Sequence, residues 1–330
     1  MLLGAATAHA EPNLADDLRR AIDAGQRTAA VEWDNDAFAF SRDDGSYSNG
    51  IRFSLRYASP DVHASRRGDG SESLRRHVYG LRLGQRIYTP SDIDLAPAEL
   101  PLDERPYAGY LYLGVSRDTF WSDGNEGRYL RLALDAGCIG PCSGAEALQK
   151  RVHGWVGSSE PRGWGEQIRN EPTLQLTAEY SPGRAVLARW VDAAPYVRGQ
   201  LGNVFVTAGA GALVRVGRFN SPFAGSLGSA SRHAAPSASA SPAPELFAYA
   251  RLEGRYVAHN ATIEGGWFND SPRTLDAEPY VVESEVGIAW AGERWMLGYS
   301  MLWRSKEIES QPGSLTAHRW GRIQIGYRFD

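Results

Sequence analysis

The chain has 330 residues with a formal net charge of −4, so no basic field marks it for nucleic acid. Trp 10, Tyr 15 and Gly 36 stand against Met 3, a balance that suits pleated strands better than helices. No run of about 18 apolar residues occurs; this excludes a helical membrane span but not a barrel, whose strands need only about 10 alternating residues.

The first ten residues, MLLGAATAHA, are apolar and small, and Ala8-His9-Ala10 has the form of a signal-peptidase site. Residues 1–10 therefore read as the remnant of a signal peptide, with a mature start near Glu11, and 11–27 as a polar N-terminal segment. Residues 13–27 read as a short polar helix or a tail, and 28–330 as one β-barrel domain. Period-2 alternation then recurs along the chain. Ile51, Phe53, Leu55 and Tyr57 alternate with Arg52, Ser54 and Arg56, and Ile323, Ile325, Tyr327 and Phe329 with Arg322, Gln324 and Arg328.

A water-soluble sandwich would also alternate. Three features favour a transmembrane cylinder. The segments run about 10–13 residues, long for a globular sheet. Aromatics stand near segment ends (Tyr57, Tyr88, Tyr110, Tyr180, Trp303, Phe329), as interfacial girdles require. The polar faces are rich in arginine (Arg52, Arg56, Arg82, Arg86, Arg131, Arg255), as a hydrated lumen would be. The expected fold is an all-β antiparallel outer-membrane barrel of about twelve strands, with rim loops and a short helix in the third outer loop. Thirteen segments alternate, and an even number is required; the shortest, 260–268, is expected to be a loop excursion. Residues 220–244, rich in Ser, Ala, Pro and Gly, read as a flexible connection.

With the N-terminus periplasmic, the first three outer loops span roughly 36–48, 89–106 and 138–171. Asp34-Asn35-Asp36 and Tyr47-Ser48-Asn49-Gly50 flank the first. Asn and Asp oxygens there can bind a hard cation such as calcium or simply cap a turn. In the third loop, 143–154 has helical spacing, with Gln149 one turn before His153, a residue type suited to general-base work or to a solvated surface. Cys138 and Cys142 can close a small disulfide loop in an oxidising compartment or be incidental thiols; as a zinc site they are poor.

The ordered segments DNDAF (34–38), YSNGI (47–51), IYTP (87–90), DERPYAG (103–109) and QKRVH…GW..QI (149–168) resemble the lipid A 3′-O-deacylase family of outer-membrane enzymes, over about Val31 to Phe329. The resemblance implies a calcium-dependent esterase at the outer-leaflet rim, acting on the ester-linked 3′ acyl chain of lipid A in lipopolysaccharide. It makes Asn35 and Asp36 the residues that position Ca2+ and shape the oxyanion site, and His153 the base, with Gln149 beside it. Ser48 stands where the family has Thr.

Two positions depart from the family pattern. No Lys follows Tyr-x-Pro, where the chain reads Ser91-Asp92-Ile93-Asp94-Leu95. The Glu expected after the His is replaced by Ser159, with Glu160 displaced by one and counted as a candidate catalytic residue. These departures keep open a second reading, a barrel of the same family that has lost activity and binds lipopolysaccharide or serves structurally. No G-x-S-x-G elbow supports a different lipase, and a passive pore leaves the elaborate third loop unexplained.

Overall fold

The computed structural model describes residues 13–39, 47–60, 63–66, 72–122, 127–219, 244–311 and 318–329. Residues 1–10 and most of the 220–244 connection lie outside these. Twelve strands form the wall: β1 (Gln26–Asn35), β2 (Asn49–Ala58), β4 (Glu72–Tyr88), β5 (Ala108–Ser122), β6 (Arg128–Ile139), β7 (Glu171–Ser181), β9 (Val191–Gly202), β10 (Phe205–Arg218), β11 (Glu245–Asn260), β12 (Tyr280–Ala291), β13 (Trp295–Arg304) and β14 (His318–Phe329). Two short strands, β3 (His63–Arg66) and β8 (Ala185–Ala188), add to the edges of β4 and β9. Each wall strand pairs antiparallel with its neighbour, β1 pairs β14, and the β9–β10 pairing completes the ring. The thirteenth alternating segment begins as a four-residue helix, α3 (Ala261–Glu264), because the Asn260 side chain caps it and ends strand pairing.

Side-chain parity explains the composition. Leu113, Val115, Leu174 and Leu252 point outward and are each more than half exposed, an apolar belt that suits hydrocarbon rather than water. Among the described residues no helix is long and apolar enough to cross a membrane, so spanning falls to the strands. The opposite parity fills the lumen with ion pairs. Asp118 bridges Arg56 and Arg131 at 2.6 and 2.8 Å, Arg82 meets Asp135 at 2.7 Å, and Arg322 meets Asp34 at 2.6 Å.

Parity also corrects the girdle expectation at two positions. Tyr88 and Tyr110 are 4% and 2% exposed, because even-numbered positions of β4 and β5 face inward. Tyr110 stacks on Tyr112 inside the barrel, and Tyr88 carries the Arg105 guanidinium over its ring. Tyr180 and Phe329 do face outward.

Both barrel termini and the short β7–β8 and β12–β13 turns share one end, the periplasmic one. The N-terminal segment there is a helix, α1 (Leu14–Ala24). At the opposite rim, helix α2 (Ala145–Val156) rises from the β6–β7 loop as expected, and the Cys138–Cys142 disulfide is formed at its base.

Candidate functional site

Strand register places the site. Across the outward face at the outer rim, Asn35 pairs with Asn49, Asn49 with Ile87, and Ile87 with Gly109. One step below, Trp33 pairs with Ile51. Helix α2 leans on this row from outside, leaving a cleft between helix and wall. Asn35, Asp36, Ser48, Asn49, Gln149 and His153 line it, together with the apolar Trp33, Ile51, Ile87, Leu148 and Val152.

The motif residues divide by parity into lumen and cleft. Asp34 turns inward, where Arg322 holds both its oxygens and the Tyr47 hydroxyl donates to Oδ2 at 2.9 Å. Tyr47 reaches Asp34 only across Gly50, where a Cβ would strike its ring, so the Tyr-x-x-Gly spacing is a packing requirement. Asn35 turns outward; its Nδ2 donates to the Ser48 carbonyl at 3.2 Å and its Oδ1 accepts from Ala37 N at 2.9 Å. Asp36 begins a 3-10 turn and is 6% exposed, its Oδ1 accepting from Ala37 N. Ser48, also buried, shares a short hydrogen bond with the Thr89 hydroxyl, which gives Thr89 of the Tyr-Thr-Pro segment a supporting role.

Helix α2 is seated by a chain of contacts. Gly140 N donates to the Gly109 carbonyl at 2.8 Å, the Ser143 hydroxyl to the Gly140 carbonyl at 2.6 Å, and Gln85 Nε2 to the Ser143 carbonyl at 2.6 Å. Gly109 faces Ser143 and Ala145 so closely that a Cβ there would overlap both. Gly109→Val is therefore expected to unseat α2 while leaving the barrel closed; limited proteolysis should cut the third loop faster, with the heat-modifiable gel mobility of the barrel unchanged. Equal cutting in both proteins would refute this seat.

Within the helix, Gln149 and His153 lie four residues apart on one face. Gln149 is 5% exposed and its Oε1 accepts from the Trp164 indole at 2.8 Å. Trp164 packs against Tyr107 with ring centroids 4.9 Å apart, in a cluster with Ile87, Ile93, Leu100 and Ala145. Burial pushes the Tyr107 hydroxyl up to about 12, so it stays neutral.

His153 is half-buried, and its Nδ1 lies 2.6 Å from the Ser159 carbonyl oxygen. A carbonyl only accepts, so Nδ1 carries the proton and Nε2 of the neutral ring holds the lone pair. The reversal that brings Ser159 back starts at Gly157, whose φ of 71° is a left-handed cap, with Ser158 N donating to the His153 carbonyl. Arg162 N and the Ile93 carbonyl, 3.0 Å apart, tie the returning chain to the second loop.

Glu160 is not brought to the cleft. Its side chain is 73% exposed and lies 3.6 Å from Lys150, whose ammonium Glu146 and Glu160 hold above its usual value. Where the family pattern has a Glu after the His, the Ser159 main-chain carbonyl contacts the ring instead. Lys306, the second lysine of the chain, pairs with Glu278 at 2.8 Å, so neither lysine lines the cleft.

Among the described residues no group of three or more His, Cys, Asp or Glu is placed to hold a metal. Among the described residues of the cleft lining Asp36 is the one carboxylate, with Asn35 Oδ1 and Ser48 Oγ as neutral oxygens. Sequence reading missed the apolar lining and the Ser159 carbonyl, and it gave no role to Thr89 and Trp164, which lie within the motif segments. Parity could have found Trp33 and Ile51, each two residues from an Asn on the same face.

A family model described as outer membrane protein LpxR matches residues 1–329. No curated protein sequence matches the chain. Among solved structures, LpxR from Salmonella typhimurium is similar with a TM-score of 0.70 at 21% identity, over 91% of this chain and 99% of that one. The β domain of the Bordetella autotransporter BrkA aligns at a TM-score of 0.43 and 14% identity, over 93% of this chain and 99% of that one. The Salmonella structure shares the closed twelve-stranded fold. Matched along its length, this Gram-negative outer-membrane barrel belongs to the outer membrane protein LpxR family.

Proposed function

We propose that the chain is a lipid A deacylase, hydrolysing the ester-linked 3′ acyl chain of lipopolysaccharide in the outer leaflet. The observation that supports this reading is that His153 lines a cleft on the lipid-facing wall together with Asn35, Asp36 and Ser48, with its Nδ1 turned to the Ser159 carbonyl.

Trp33, Ile51, Ile87, Leu148 and Val152 supply an apolar wall for an acyl chain, and the polar residues sit at the rim, level with a sugar headgroup. His153 Nε2 takes a proton from a water as its oxygen attacks the ester carbonyl carbon. Asn35 Nδ2, which gives one hydrogen to the Ser48 carbonyl, would donate the other to the developing oxyanion. Collapse breaks the bond to the sugar oxygen, which takes the proton back from His153, and the fatty acid leaves as the carboxylic acid, which ionises by giving its remaining proton to solvent water. The Ser159 carbonyl holds the ring in one tautomer throughout.

The oxygen donors fit a calcium ion completed largely by water and substrate: Asp36 and Asn35 would hold it, and when bound it would polarise the ester carbonyl. The exposed position of Glu160 favours a second reading, an inactive lipopolysaccharide-binding barrel.

Mass spectrometry of lipid A incubated with the purified protein and calcium separates the two. Loss of the 3′ acyl mass, absent with His153→Ala, is expected. An unchanged lipid mass with folded wild-type protein would remove the enzyme and leave the binding reading.

A further inference from the structure

Helix α1 sits on the outside of the barrel at the end opposite the cleft, and nothing in the proposed chemistry uses it. Its attachment is specific. Asp17 is 2% exposed and accepts from the Ser59 hydroxyl at 2.7 Å and the Tyr79 hydroxyl at 2.6 Å. Tyr79 has the same parity in β4 as Leu81 and Leu83, which are 45% and 47% exposed on the outward wall. Ala21 is fully buried, and Gly25 passes so close to the Ala58 carbonyl that no side chain would fit. Arg27, at the start of β1, donates to the Ile22 carbonyl at 2.8 Å.

Asp17 and Ala21 thus face the wall, and this fixes what the other faces can meet. At 100° per residue, Leu14, Leu18 and Ile22 form a stripe along one edge beside the wall-facing line. Leu14 and Ile22 remain 54% and 42% exposed. Asp16, Arg19, Arg20 and Asp23 occupy the far side and are exposed. An eleven-residue helix is marginal alone, and one with a bare apolar edge next to charge gains little in water. The barrel supplies the missing neighbour: Tyr79, held by Asp17, lies two residues from the outward Leu81 on the same face, so the helix sits against the end of the apolar belt.

We propose that α1 is an in-plane lipid-binding helix, its Leu14–Leu18–Ile22 edge covered by phospholipid acyl chains of the periplasmic leaflet and its charged side turned to the periplasm. The geometry is that of an interfacial amphipathic helix, anchored here by Asp17 to the wall of a cylinder. It would fix the depth of the periplasmic end in the bilayer without adding a spanning segment.

The test uses the full chain with its disulfide intact, one barrel per phosphatidylethanolamine–phosphatidylglycerol nanodisc. Ile22→Cys and Asp23→Cys are labelled singly with an environment-sensitive fluorophore, and heat-modifiable gel mobility confirms folding in each. The label at 22 should be quenched severalfold more by spin-labelled acyl chains than the label at 23, with the reverse order for aqueous iodide. Equal iodide access at both positions overturns the proposal. So does protection of position 22 that appears only when discs carry two barrels, which would assign the edge to a second copy.

Discussion

Replacement of His153 by alanine should lower the rate of ester hydrolysis by about 10²–10⁴-fold, the usual contribution of a positioned general base. The barrel should be untouched, because the ring is half-buried in a rim cleft and its hydrogen bond is to a loop carbonyl. His153→Asn serves as the informative partner: its amide can donate to the Ser159 carbonyl but has no basic nitrogen to take a proton. Both variants should lose turnover with little change in lipid binding, measured as kcat and KM on lipid A in mixed micelles. If Asn restores more than a tenth of the wild-type kcat, proton abstraction by the ring is not the limiting contribution.

The second large effect is expected far from the chemistry. Arg105, in the second outer loop, is fully buried; it reaches Glu307 at 2.7 Å and the Thr262 hydroxyl at 2.6 Å, with its guanidinium 4.6 Å above Tyr88. It therefore ties three outer connections together. Removing one partner of a buried pair costs about 3 kcal/mol or more. Arg105→Ala should open the rim, raising amide exchange in the second, fifth and sixth outer loops by about 10²-fold while the strands stay protected.

The pH dependence of that effect has a definite sign. Burial alone would raise the Glu307 carboxyl, but Arg304 and Arg105 hold it down at about 2, below the ordinary glutamate value of 4.5. A depressed pKa means the pair stabilises fully above about 4.5 and loses that contribution as the pH falls towards about 2. The exchange difference between wild type and Arg105→Ala should shrink over that window. A constant difference would mean that the guanidinium acts through Tyr88 and Thr262 and not through charge.

Much of the architecture was legible because a strand advertises its two faces residue by residue. Phe53 and Ile325 read as outward and are so, and the excess thirteenth segment was correctly set aside. The same rule, applied one residue more strictly, would have sent Tyr88 and Tyr110 inward instead of to a girdle. In the site, Asn35, Asp36, Ser48, Gln149 and His153 line one cleft. Glu160 does not, because after Gly157 the chain doubles back and offers a main-chain oxygen to the imidazole. Sequence spacing reports side chains; it is silent on which carbonyl a turn will present.

The cleft lies on the outer surface of the cylinder, between helix and wall, and not in its bore. On the proposed function, its substrate arrives by gliding within one monolayer, so supply is counted in molecules per unit area rather than per volume. Diluting the outer leaflet with inert lipid should starve the site even when the bulk amount of ligand is unchanged, and a plug lodged in the lumen should leave it accessible.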